Sequence, residues 1–172
     1  GLEWKIIDLS GKDLPRDGKA IGELVVRGDM VMKGYLNKED ETRKAFEGGW
    51  FHTGDLASLG PDNSLYIRDR MKDIIISGGE NISSLEIEQV LYSHPDILEC
   101  AVIAKKDPKW GEIPKGIVRL KPGSQTTPEK IIDFTRKNLA HFKALREVEI
   151  IDQMPVGGTG KIQKSILRQR YG

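Results

Sequence analysis

The stretch from Tyr66 to Ser83, which reads YIRDRMKDIIISGGENIS, constrains the fold of this chain more than any other. Its first half carries a tight cluster of charges, and three consecutive isoleucines and a Ser-Gly-Gly turn follow. The run Ile74–Ile76 is typical of a buried strand, and the glycines are typical of a tight turn. A charged pivot between two strands can join two compact units so that one of them rotates. The alternative is a surface turn between two strands of a single domain.

Length and composition exclude some classes of protein. The chain has 172 residues, enough for one large domain or two small ones. Its 38% hydrophobic and 31% charged residues fit a globular protein with a modest core. The 27 basic and 26 acidic residues give a net charge of +1, which argues against a nucleic-acid partner. No apolar run approaches the ~18 residues of a membrane span, so we predict no transmembrane segment.

A single cysteine, Cys100, lies in an apolar run. No internal disulfide can form, and we expect a reducing, cytoplasmic location. The chain begins at Gly1 without a signal peptide, and we expect it to be a piece of a longer protein. The histidines His52, His94 and His141 have no neighbours that suggest a metal site, so we predict structural or surface roles for them and no metal ligands.

Residues 1–71 are predicted to form a β-rich domain. Alternating apolar residues and turn signals predict four strands, at 4–8, 23–27, 50–56 and 65–70. A short helix is predicted to begin at Asn37, with Asp40 completing its cap. Because four strands bury little by themselves, we expect the end of a larger sheet. Orphan strands of this kind could also pair two copies of the chain into a homo-oligomer.

Residues 72–172 are predicted to form a more self-sufficient α+β domain. Ser83 and Glu86 form a capping box for a helix at 84–93, and Pro128 follows the cap Thr127 of a second helix. Strands are predicted at 98–104, 116–121 and 147–152, and a basic helix at 163–170. The fold class is therefore α+β, an antiparallel sheet with helices preceded by a β-rich remnant.

A glycine loop ending in Lys161 precedes the last helix. It is not a phosphate loop, because Pro155 stands where that motif needs glycine and Ile162 replaces its Ser/Thr. One interpretation is a flexible loop with a solvated lysine. The other is a lysine that enters a cleft and stabilises charge developing on a phosphate, an effect typically worth several kcal/mol.

Three motifs, in this order and spacing, resemble the adenylate-forming superfamily of acyl-CoA synthetases and related adenylating enzymes. They are Thr53-Gly54-Asp55, the stretch Arg70–Asn81, and the segment Pro155–Arg168. The resemblance covers essentially the whole chain. It implies the end of the large domain plus the whole mobile C-terminal domain, while the triphosphate loop and the acyl pocket of the family are missing.

The resemblance also implies roles for individual residues. Lys161 would be the catalytic lysine of adenylation, Asp55 and Arg70 would contact the ribose of ATP, and Lys72 would be the hinge. From the residues alone, the alternatives are a turn aspartate for Asp55, a surface ion pair of Arg70 with Asp69 or Asp73, and an exposed turn lysine for Lys72.

A second implied set faces coenzyme A. The segment Ser77, Gly78, Gly79 and Glu80 would line the channel of the pantetheine arm, and Trp110 would lie near that arm. A hairpin turn and a half-buried core tryptophan are the plain alternatives for these residues.

The resemblance implies that the parent protein activates a fatty acid or related carboxylic acid. It would use ATP and Mg²⁺ to form an acyl-adenylate and then transfer the acyl group to coenzyme A. A luciferase-like oxygenase and a carrier-protein-loading enzyme are the rivals within the superfamily. The isolated piece could also be a non-catalytic binding module, and we expect it to be inactive in adenylation.

Overall fold

The chain divides into two compact units, Gly1–Lys72 and Asp73–Gly172, in a computed structural model that describes residues 1–8 and 10–172. The division falls directly after Lys72, one residue beyond the boundary expected from the sequence. No helix in the described ranges is long and apolar enough to cross a membrane.

The first unit is an antiparallel meander of four strands in the order β1-β2-β3-β4. The strands are β1 (Leu2–Ile7), β2 (Gly22–Gly28), β3 (Phe51–Leu59) and β4 (Leu65–Arg70), with helix α1 (Glu39–Ala45) between β2 and β3. Its small core contains Ile6, Leu24, Ala57 and Leu59. The β-rich character predicted for this part of the chain is confirmed.

The predicted cap of the short helix is wrong. Asn37 has φ of +56°, and α1 begins two residues later without a side-chain capping bond. The preceding loop is instead tied to the helix by Thr42, whose Oγ1 accepts from the Tyr35 N–H at 2.9 Å and donates to the Lys38 carbonyl at 2.8 Å. Asparagine tolerates the left-handed region, and here it turns the chain rather than capping the helix.

The second unit contains a five-stranded sheet and three helices. Strands follow the order β6-β5-β8-β7, and β9 pairs in parallel with β8. The strands are β5 (Ile75–Ser77), β6 (Glu80–Ile82), β7 (Ile97–Asp107), β8 (Gly111–Leu120) and β9 (Glu147–Ile150). The helices are α2 (Ser84–Tyr92), α3 (Pro128–Asn138) and α4 (Lys164–Tyr171). The predicted α+β class is confirmed.

Helices cover both faces of this sheet. Successive residues of a strand point to opposite faces, so β7 contributes to two separate cores. Cys100 and Val102 pack in the core that includes residues of α2 and α3, and Ala101 and Ile103 pack in the core that includes Leu167 of α4.

Local signals in the second unit predicted the starts of α2 and α3 correctly. The Ser83 hydroxyl accepts from the Glu86 N–H at 3.2 Å, and Thr127 caps the helix whose first residue is Pro128. The Glu86 carboxylate forms an ion pair with Lys143 at 2.7 Å. A helix start needs few residues, which explains why the sequence suffices to find it.

The buried run predicted at Ile74–Ile76 is only partly correct. Ile75 is fully buried, but Ile76 is 55% exposed. The reason is that β5 has three residues and only one of its faces is covered, so alternate side chains differ in burial.

Candidate functional site

Asp55 and Arg70 form an ion pair in the first unit. They are directly opposite each other in the β3–β4 pairing, and Arg70 Nε lies 2.7 Å from Asp55 Oδ1. The Arg70 side chain is 56% exposed and that of Asp55 is 27% exposed. The structure therefore brings together the two residues predicted to contact ribose, at a point that solvent reaches.

The part of β3 that carries Asp55 is held by a carboxylate that the sequence analysis missed. Glu23 Oε1 accepts from the Gly54 N–H at 3.1 Å, and Glu23 Oε2 is 2.7 Å from His52 Nδ1. Thr53 Oγ1 donates to the Leu24 carbonyl at 2.7 Å and accepts from the Asp55 N–H at 3.1 Å. A glutamate between two buried residues of a strand needs polar partners, and that is the signal that could have found it.

The predicted coenzyme A residues meet in the second unit. Strands β5 and β6 are joined by Gly78 and Gly79, whose φ angles are +60° and +87°. Ser77 pairs with Gly111 of β8, and the Gly78 N–H donates to the Trp110 carbonyl at 2.9 Å. A Cβ atom on Gly78 would lie 2.8 Å from Trp110 Cε3. The hairpin Ser77–Glu80 thus packs against the indole ring.

Cationic side chains surround Trp110. The Arg146 guanidinium carbon lies 4.5 Å from the ring centroid, and Lys109 Nζ lies 5.1 Å from it. Asp107 Oδ1 fixes the turn by accepting from the N–H groups of Lys109 and Trp110 at 2.9 and 2.8 Å. This half-buried aromatic ring with flanking positive charge suits an anionic ligand that carries an apolar segment.

An open cavity of about 590 Å³ adjoins the hairpin. It is lined by Ile76, Lys106, Asp107, Pro108, Gly111 and Glu112. Glu112 Oε2 accepts from the Ile76 N–H at 2.8 Å, which links the wall of the cavity to β5.

Lys161 lies at the end of a closed glycine turn. The Gly160 N–H donates to the Gly157 carbonyl and the Gly157 N–H donates to the Lys161 carbonyl, both at 2.9 Å, and Val156 bridges to Ile162. Lys161 is exposed, and it forms no ion pair with the residues described by the structure. Its ammonium is therefore presented to solvent on a hydrogen-bonded turn.

Lys72 lies in a single 3₁₀ turn, Met71–Asp73, at the boundary of the two units. Its side chain is exposed. The predicted hinge residue thus stands where the chain leaves the first unit.

Basic residues of α4, which the sequence predicts as a basic helix, have acidic partners. Arg168 pairs with Asp73, and Lys164 Nζ is 2.7 Å from Glu88 Oε1. Burial raises the pKa of the nearby Cys100 thiol to about 12, and the negative charge of Glu88 adds to the effect. These contacts connect residues 76 or more positions apart, so local sequence patterns carry no sign of them.

Comparisons with known proteins identify the family of this chain. Residues 86–161 match the family of AMP-binding enzyme C-terminal domains. The ATP-bound MatB of Rhodopseudomonas palustris has a TM-score of 0.91 at 32% identity, over 99% of this chain and 34% of that one. The chain belongs to the adenylate-forming, AMP-binding superfamily. The prediction drawn from the three motifs is confirmed.

Two sequence relatives within this superfamily are CoA ligases. A peroxisomal benzoate–CoA ligase of Arabidopsis thaliana is 45% identical over 91% of this chain and 29% of its own length. The 2-methylpropanoate–CoA ligase CCL4 of Humulus lupulus is 47% identical over 93% of this chain and 29% of its own length. The chain therefore spans less than a third of these relatives. Because one of them is peroxisomal, the expected cytoplasmic location stays a prediction.

Proposed function

We propose that the protein containing this chain is an AMP-forming acid–CoA ligase. A carboxylate oxygen attacks the α-phosphorus of ATP, pyrophosphate leaves, and the resulting acyl-adenylate passes its acyl group to the thiol of coenzyme A with release of AMP. The observation that carries this proposal is the similarity of over 90% of the chain to two CoA ligases. Their names favour coenzyme A as acceptor over the luciferase-like and carrier-loading alternatives.

Lys161 is the proposed electrostatic catalyst of the first step. Its exposed ammonium on a closed turn can approach both the attacking carboxylate and the α-phosphate. Negative charge builds up on the phosphate oxygens in that step, and a fixed cation stabilises it. A neutral side chain at this position lacks that effect.

Asp55 and Arg70 are the proposed ribose contacts. A carboxylate has two oxygens, so Asp55 can accept from ribose hydroxyls while Oδ1 remains paired with Arg70. Among the described residues, no group of three or more His, Cys, Asp or Glu side chains is arranged to hold a metal ion. Mg²⁺ is a proposed cosubstrate of the full-length enzyme together with ATP.

The hairpin Ser77–Glu80 and Trp110 form the proposed coenzyme A surface. The two glycines have no side chains, which leaves room for a narrow chain such as pantetheine beside the backbone. Arg146 and Lys109 bring positive charge to the same surface. Lys72 is the proposed pivot about which the second unit rotates, so that the coenzyme A surface replaces Lys161 at the reacting group. The place of Lys72 in a single exposed turn supports that role.

The acid is proposed to be a fatty acid or a related organic acid, located with its enzyme in the cytoplasm. Relatives that act on benzoate and on 2-methylpropanoate support a small or medium-sized carboxylic acid. A panel of such acids in the assay below identifies the substrate.

The decisive experiment measures the two half-reactions separately in the full-length protein. ATP–pyrophosphate exchange reports adenylation, and thioester formation from a supplied acyl-adenylate reports transfer to coenzyme A. Lys161→Ala should slow exchange about 100-fold or more, the size of losing one oxyanion donor, and change transfer less than about threefold. The matched control is Lys137→Ala, which removes an exposed lysine of α3. Equal damage to both half-reactions would show that Lys161 is structural.

The edges of the first unit support a proposed homo-oligomer. Leu65, Tyr66 and Ile67 of the edge strand β4 are 38%, 46% and 50% exposed. Apolar edge strands pair readily with another copy. Light scattering should detect a dimer of the 172-residue chain that Ile67→Lys dissociates, and a monomer at all accessible concentrations contradicts the proposal.

A further inference from the structure

Four charged side chains of the second unit form an ion cluster, which we call the α4 charge cluster: Asp73, Glu88, Lys164 and Arg168. The Arg168 guanidinium pairs with Asp73. Lys164 Nζ lies 2.7 Å from Glu88 Oε1 and 4.0 Å from Asp73 Oδ2. The carboxylate side chains are only 10% and 11% exposed, so these charges are largely removed from water. Charges in such places are strongly destabilising unless each has its partner.

The cluster passes around one edge of the sheet. Glu88 belongs to α2 and Lys164 to α4, and these helices pack in the cores of opposite sheet faces. β7 is an edge strand, and its Val102 N–H donates to Glu88 Oε1 at 2.7 Å. Glu88 Oε1 thus accepts a hydrogen bond from a backbone N–H of the edge strand and also pairs with Lys164 of α4.

Helix α4 in turn fixes the glycine turn. Lys164, the first residue of α4, follows Lys161 by three positions. The intervening Gln163 N–H donates to the Pro155 carbonyl at 2.8 Å, which closes the base of the turn. Leu167 is fully buried and holds the helix against the sheet. A rotation or shift of α4 would therefore displace Lys161.

The far end of the cluster lies at the start of the unit. Asp73 directly follows Lys72, the proposed pivot, and Arg168 reaches it from a point 95 residues later in the sequence. An apolar contact alone would tolerate small shifts of α4. Paired charges fix direction as well as distance, because each must face its partner.

We propose that the α4 charge cluster is a positioning device for Lys161. The cluster fastens α4 to α2 and to Asp73, the first residue of the second unit. When Asp73 moves, α4 and the glycine turn therefore move with it. This inference rests on the proposed catalytic function of Lys161. In this proposal the four residues act through the helix and the turn, as positioning residues.

The first test follows hydrogen exchange in the 172-residue chain. The amides of Gly157 and Gly160 report the turn, because both N–H groups close it. Arg168→Met should speed their exchange about 10-fold relative to the slowest core amides, as local opening becomes easier. Arg168→Lys, which keeps the charge, should restore most of the protection.

The matched control is Arg119→Met. Arg119 also pairs with a carboxylate, Glu99, at 2.8 Å, but this pair joins β7 and β8 and does not involve α4. The Arg119→Met variant should keep the amide exchange rates of Gly157 and Gly160 within about twofold of the wild-type rates. Unchanged exchange in Arg168→Met, or equal acceleration in both variants, overturns the inference. If Arg168→Met fails to fold, Lys164→Gln is judged by the same criterion.

The second test uses the half-reactions of the full-length protein. Arg168→Met should lower kcat of adenylation about 10-fold with KM for ATP changed less than about twofold, and should spare transfer from a supplied acyl-adenylate. A general loss of stability would lower both half-reactions together, which would overturn the positioning role. Absence of pyrophosphate exchange in the wild type would refute the proposed function, while the hydrogen-exchange comparison still decides the role of the cluster.

Discussion

Replacing Gly78 with alanine tests whether the hairpin and Trp110 form one surface. Gly78 has φ of +60°, where an L side chain is strained, and its added Cβ would lie 2.8 Å from Cε3 and 3.1 Å from Cζ3 of Trp110. Separations below 3.0 Å are essentially never seen for real Cβ atoms, so the indole ring or the hairpin must move. The substitution therefore combines a backbone cost with a packing cost.

The neighbouring glycine separates these two costs. Gly79 has φ of +87°, but no atom lies within 4 Å of a Cβ built on it. Gly79→Ala should therefore cost only the left-handed conformation, about 1–2 kcal/mol. Gly78→Ala should cost that amount plus an overpacking term of about 1–3 kcal/mol.

Urea denaturation of the 172-residue chain, followed by far-ultraviolet circular dichroism, measures the free energy of unfolding of the second unit. In a Trp110→Ala background the packing term should vanish, so Gly78→Ala should then cost no more than Gly79→Ala does. A double-mutant cycle isolates this coupling. Equal costs for the two glycine variants, or a coupling of zero, would refute the contact between hairpin and ring.

Two further predictions concern Cys100 and Lys72. Burial raises the pKa of the Cys100 thiol from 9.0 to about 12, so the unfolded chain ionises first and stability is lost as pH rises above about 9. Between pH 9 and pH 10.5 the loss should be about 2 kcal/mol, absent in Cys100→Val, and a pH-independent stability in urea titrations contradicts the burial. Lys72→Pro in the full-length protein should spare pyrophosphate exchange and sharply lower thioester formation, because proline fixes φ at the proposed pivot. Normal thioester formation by a well-folded Lys72→Pro enzyme would rule out that pivot.

The elements that the sequence predicted well depend on short-range signals. Ser83 and the Thr127–Pro128 pair mark helix starts because the groups they satisfy lie within three residues. The apolar run of β7 also predicted a strand, although the strand extends from Ile97 to Asp107 and is longer than the predicted 98–104. The sequence around Asn37 predicts a cap wrongly because asparagine occurs both at helix caps and in left-handed turns, and only the backbone angle distinguishes the two.

The geometry of the site depends on information that the sequence does not contain. Asp55 lies opposite Arg70 because of the β3–β4 register, which shifts at an irregularity between Leu56 and Ala57. A bulge shifts every later residue pair of the two strands by one position. The length of the loop between β3 and β4 therefore does not predict which residue lies opposite Arg70. Asp69 and Asp73, the alternative partners of Arg70, are closer to it in sequence than Asp55 is. The structure instead pairs Asp73 with Arg168.

The two lysines that flank the start of α4 show why charge alone does not identify a catalytic residue. Lys161 and Lys164 are three positions apart, and both belong to a basic segment. Lys164 is 18% exposed and lies 2.7 Å from Glu88, so its charge is committed to the fold. A cation that stabilises a developing phosphate charge must be free to approach it, and Lys161 is the exposed one. Because Lys164 holds the helix through its ion pair, Lys161 is presented to solvent on a fixed turn. Replacing Lys161 and Lys164 separately distinguishes the two roles.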